Sequence, residues 1–173
     1  MTTKSILWKL PLTFLLLASF SLYFPEILGN GGALAQAVFD GMGVWYALAC
    51  VVIKAVLVLL TLKNGAYGGT LTPSFSIGAV LGFLVAVLCQ LVVPELSLTS
   101  AMLIGSSIFL AITMNALLTA VGLVVSFTGQ SFTALPILLL AVIVAFATKT
   151  IIEHIERKYY VNPYRSQTRR NRR

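Results

Sequence analysis

Charge is the scarcest property of this chain. Only 10% of its 173 residues are charged, and just five are acidic. A soluble domain has about a quarter of its residues charged. A water-exposed surface cannot be built from so little, while 58% of the residues are hydrophobic. The bilayer is therefore the main solvent, and a soluble enzyme or soluble binding module is excluded. One histidine and two cysteines, Cys50 and Cys89, are too few and too scattered for a metal centre. Both cysteines lie in apolar runs and read as small membrane-core residues. His154 stands among Glu153, Glu156, Arg157 and Lys158, just past the last apolar run, and reads as a solvated interfacial residue. No nucleophile–base pair or phosphate loop is present, so an enzyme is not expected, and no cofactor is called for.

The positive charge is unevenly placed. Eight of the twelve lysines and arginines lie from Lys149 onward. No aromatic platform accompanies them, so nucleic acid is not the expected partner. They read as a cytoplasmic tail beside anionic lipid. The boundaries are a membrane part, 1–152, and a basic cytoplasmic tail, 153–173. Lys4 and Lys9 precede the first apolar stretch. It ends at Phe24-Pro25-Glu26 with further membrane segments behind it, so it reads as a retained span and not a cleaved signal.

A spanning helix needs about 20 apolar residues, which leaves room for five or six membrane segments. The long runs are about Ser5 to Phe24, Val44 to Leu62, Pro73 to Val93 and Ala134 to Ile152. Pro11 is expected near the first turn of its helix, where proline is best tolerated. Trp45, Tyr46 and Lys63 read as interfacial anchors. Between the long runs lie short ones: Ala33 to Phe39, Met102 to Ile112 and Ala116 to Phe127. Glycine-rich breaks fall at Pro25 to Gly32 and at Asn64 to Pro73. The fold class is all-α, a polytopic transmembrane protein with half-length or re-entrant helices. Irregular backbone at membrane depth is tolerated only inside protein or beside a wet cavity. Interrupted helices of this kind point to a transport site.

The second break has the chemistry for an anion. Gly68 and Gly69 free the backbone to turn, and Pro73 suits the first turn of a helix. A helix start at Gly69 to Thr72 presents unpaired amides and a positive dipole end, and holds an anion without a full charge. The alternative reading is a tight connector between two helices. Lys54 is the one charged residue deep in an apolar run, about 13 Å along the helix from Lys63. Such a lysine faces the protein interior. It either pairs with backbone carbonyls or serves the anion directly. Gly78 and Gly82 form a GxxxG pair, which reads as a close helix approach within the chain.

The stretch from Gly65 to Gly82, Gly-Ala-Tyr-Gly-Gly-Thr-Leu-Thr-Pro-Ser-Phe-Ser-Ile-Gly-Ala-Val-Leu-Gly, resembles the GxFxP signature of CLC-type chloride channels and chloride/proton antiporters. Leu71 stands where phenylalanine is usual. Phe24 to Gly31 resembles the "FPEVLGxG" element of that family. Ala116-Leu117-Leu118-Thr119 resembles "APLT", with Leu117 in place of proline. Val124 to Gly129 resembles "VxEMTG", with Ser126 in place of glutamate.

The resemblance implies the C-terminal half of a CLC fold, one of two inverted repeats, in the inner membrane as a multi-pass protein. It implies chloride or a similar anion as the transported species. The anion-binding positions would be Gly69, Thr70, Leu71, Thr72 and Pro73, with the amides of Thr70 and Leu71 as direct donors. A tyrosine from a helix after the last span would add its hydroxyl. Tyr164 fits that position, with Tyr160 as the alternative. The GSGxP and GKEGP loops of the first half are absent from the sequence. The expectation is therefore half a transporter encoded alone, completed by a separately encoded N-terminal half or by a second copy of this chain. The alternative is a truncated remnant or small membrane protein with no transport of its own, and the departures at Leu71, Leu117 and Ser126 favour it.

Overall fold

The computed structural model describes residues 3–66 and 69–170. Among these residues it holds seven α-helices and no strand: α1 (Thr3–Ser21), α2 (Gly32–Phe39), α3 (Val44–Lys63), α4 (Leu71–Gln90), α5 (Leu98–Met114), α6 (Leu117–Thr128) and α7 (Leu135–Arg170). Two single turns of 3-10 helix, Pro25–Ile27 and Phe132–Ala134, prepare the loops before α2 and α7. The expected all-helical membrane architecture is present.

Among the described residues three helical stretches are long and apolar enough to cross a bilayer alone: Val44–Lys63, Leu71–Gln90 and Phe132–Arg157. That is fewer than the five or six segments the composition allows. For α5 and α6 the reason lies in a break. Asn115 adopts the left-handed conformation (φ 53°) and ends α5, so α5 and α6 form two helices of 17 and 12 residues. At 1.5 Å per residue they reach only about 25 Å and 18 Å, short of a hydrocarbon core of about 30 Å. Pro11 also departs from expectation. It lies in the interior of α1 and not at its first turn. Beside it the Thr13 hydroxyl donates to Lys9 O at 2.8 Å and accepts from Asn64 Nδ2 at 2.7 Å, which ties α1 to the end of α3. At the other end, α7 runs unbroken past Ile152 to Arg170, so the last span and the segment bearing Tyr160 and Tyr164 are one helix and not two.

Many apolar side chains face outward, while several polar ones lie within. Val52, Val56 and Leu59 on α3, and Val85 and Leu88 on α4, are exposed, whereas Lys54, Ser74, Ser76, Ser106 and Ser107 are buried. Lipid tails are as apolar as leucine, so helices associate through close packing and small residues. The α4–α5 crossing is built that way. A Cβ at Gly78 would stand 2.7 Å from Gly105 O, and one at Gly105 would stand 2.5 Å from Gly78 O. Only glycine allows the two backbones to approach so closely. The Gly78–Gly82 pair thus packs inside the chain, as its spacing suggests.

α4 is the centre. Ile77, Ala79, Val80 and Phe83 join a core with Ile27, Leu34, Val38, Cys50 and Leu57 from the 25–39 region and α3. Phe75 joins a second core with Leu103, Leu110, Val121, Val124, Leu138 and Val142 from α5, α6 and α7. The start of α4 therefore sits between the two clusters, held from both sides.

Candidate functional site

The first turn of α4 has an open end. Thr70 is its N-cap residue but makes no side-chain cap. The first intrahelical bond runs from Ser74 N to Thr70 O at 3.0 Å. The N–H groups of Leu71 and Thr72 have no acceptor within the helix, and Pro73 has no N–H to satisfy. Gly69 and Thr70 are exposed, and Leu71 and Thr72 partly so. Tyr67 and Gly68 lie outside the described residues.

α3 positions the facing loop. Tyr46, Cys50 and Lys54 recur every four residues and so share one helix face. At one end of that face the Tyr46 hydroxyl donates to Glu26 Oε2 at 2.6 Å, with the Phe24 ring 5.2 Å from the Tyr46 ring. At the other, Lys54 Nζ donates to Ile27 O at 2.5 Å and to Gly29 O at 2.8 Å. Lys54 is only 3% exposed, so these carbonyls are what satisfies its ammonium. Two further devices shape the loop. Asn30 Oδ1 accepts the Gly32 N–H at 3.1 Å. Gly31 adopts φ 104°, and a Cβ there would stand 2.5 Å from Ser76 Oγ and 3.3 Å from Thr72 O. Gly31 is thus needed both for its dihedral and for its closeness to α4. The two segments, 24–31 and 65–82, are pressed against each other.

Two cavities open on this contact. One, of about 300 Å³, is lined by Gly29, Asn30, Lys54, Gly69, Thr70 and Pro73, with apolar residues of α1 and α3. The other, of about 520 Å³, is lined by Asn30, Gly32, Gln36, Thr72, Phe127, Thr128 and Gln130 among others. Asn30 borders both. The structure thus brings Lys54 and the residues Gly69 to Pro73 to a common region. It does not add Tyr164 or Tyr160, which lie on α7 where only the backbone is described.

The sequence profile of the voltage gated chloride channel family matches residues 1–150. The chain belongs to this family. Among curated proteins it is 30% identical over 142 residues to the voltage-gated ClC-type chloride channel ClcB of Escherichia coli O81 (strain ED1a), covering 80% of this chain and 34% of that protein. It is 29% identical over 133 residues to the H(+)/Cl(-) exchange transporter ClcA of Vibrio parahaemolyticus serotype O3:K6 (strain RIMD 2210633), covering 72% of this chain and 28% of that one. With ClcA of Vibrio vulnificus (strain YJ016) the identity is 27% over 124 residues. The chain spans about a quarter to a third of the length of these relatives. No solved structure matches.

Within this voltage gated chloride channel segment, sequence reasoning missed Asn30 and the Glu26–Tyr46 bond. For Tyr46 a signal existed: the four-residue spacing with Cys50 and Lys54 puts it on the inward face. Trp45, its neighbour, is 83% exposed and fits the anchor role given to both. For Asn30 the signal was weaker, a lone amide inside a glycine run. The departures from the usual motifs lie apart from one another. Leu71 is in the first turn of α4, Leu117 is at the first position of α6, and Ser126 is exposed on the side of α6.

Proposed function

We propose that this chain forms the C-terminal half of the anion pathway of a chloride transporter in the inner membrane, with the start of α4 as its ion-binding element. The carrying observation is the open first turn of α4. The amides of Leu71 and Thr72 are without helical acceptors and the adjoining cavity holds Gly69, Thr70 and Lys54. A helix start carries about half an elementary positive charge, enough to favour an anion and weak enough to let it leave. The relatives named above are a chloride channel and proton/chloride exchangers, which supports chloride as the ion. A first half supplied by another chain would complete the pathway, and a second copy of this chain is the other candidate partner. The basic end of α7 lies on the cytoplasmic side by the positive-inside rule.

The test is chloride flux in proteoliposomes holding this chain together with a first-half segment that carries the GSGxP and GKEGP loops. Gly69→Val should abolish flux, whereas Thr70→Val should leave it close to the parent. Among the described residues a Cβ at Gly69 meets nothing within 4 Å, so the position has open space beside it. Unchanged flux and unchanged chloride-over-nitrate preference in Gly69→Val would remove the ion from this turn. A second reading, a chain that inserts but does not transport, is favoured by the departures at Leu71, Leu117 and Ser126. It predicts no flux even with the first half supplied.

A further inference from the structure

We draw no further inference here: the strongest candidate, the cavity of about 520 Å³ lined by Asn30, Gln36, Thr72, Thr128 and Gln130 between α2, the start of α4 and the end of α6, opens beside the first turn of α4 and so belongs to the site already described, and nothing in the structure shows what covers it.

Discussion

Gly31→Ala perturbs a residue of the 24–31 loop that rests directly on α4. The new methyl would meet two costs. The first is conformational: Gly31 sits at φ 104°, where a Cβ is penalised by about 1–2 kcal/mol. The second is contact. The Cβ would stand 2.5 Å from Ser76 Oγ, 3.2 Å from Ser76 Cβ and 3.3 Å from Thr72 O. The least costly response is for the Ser76 hydroxyl to rotate away. It then gives up its 3.0 Å bond to Pro73 O, a loss of about 1 kcal/mol. The expected destabilisation is about 2–3 kcal/mol, the sum of these two costs. Ser76→Ala alone loses only the hydrogen bond. In the double variant the hydroxyl is no longer there to collide with, so its loss is counted once and not twice. The double-mutant cycle should show coupling of about 1 kcal/mol, favouring the double variant over additivity. The assay is reversible unfolding in mixed micelles, followed by circular dichroism, of all four proteins. Strict additivity, or a Gly31→Ala chain as stable as the parent, would show that the 24–31 loop does not rest on α4 at Ser76.

Three further outcomes are predicted. The purified chain alone, in liposomes with a chloride gradient, should release chloride no faster than empty liposomes, because the first-half loops GSGxP and GKEGP are absent from its sequence; saturable efflux would refute this. A reporter active only outside the cytoplasm, fused after Arg173, should stay silent, since eight positive residues gather at this end; a strong signal would reverse the orientation. Gly105→Val should separate α4 from α5, since even a Cβ there comes within 2.7 Å of Gly82 Cα; a loss of thermal stability below about 1 kcal/mol would mean that the crossing is looser than described.

Helix limits were legible from the sequence because they are set by local chemistry. Gly65, Asn115 and Gly129 end helices in left-handed turns, and Pro73 marks a helix start, so α3 and α6 fall within about two residues of their apolar runs, whereas α5 begins at Leu98, four residues before the expected Met102. The inward faces were not legible by periodicity. In a bilayer both the lipid side and the protein side of a helix are apolar, so no stripe marks the core. The long run of α7 was hidden for another reason. Its polar half after Ile152 gives no apolar signal, and Asn162-Pro163 looks like a stop although the helix continues through it.

What remained as a guide was the exception to apolarity, and Lys54 shows how far it carries. Its depth in an apolar run alone required an inward orientation and polar partners. Those partners could not be read from the chain, because Ile27 and Gly29 contribute backbone oxygens and carry no side-chain signature. The same holds at the start of α4, where the groups without a helical partner are amides. A site made of main-chain atoms is visible in sequence only through what frees or positions the backbone: glycine where the chain turns, proline where an N–H is dispensable. That is why the glycine-rich segments 24–31 and 65–82 were found and Asn30, which borders both cavities, was not. It also explains why Leu71, standing where phenylalanine is usual, leaves the donors of the proposed site in place. The helix start offers the N–H of residue 71 whatever side chain that residue bears.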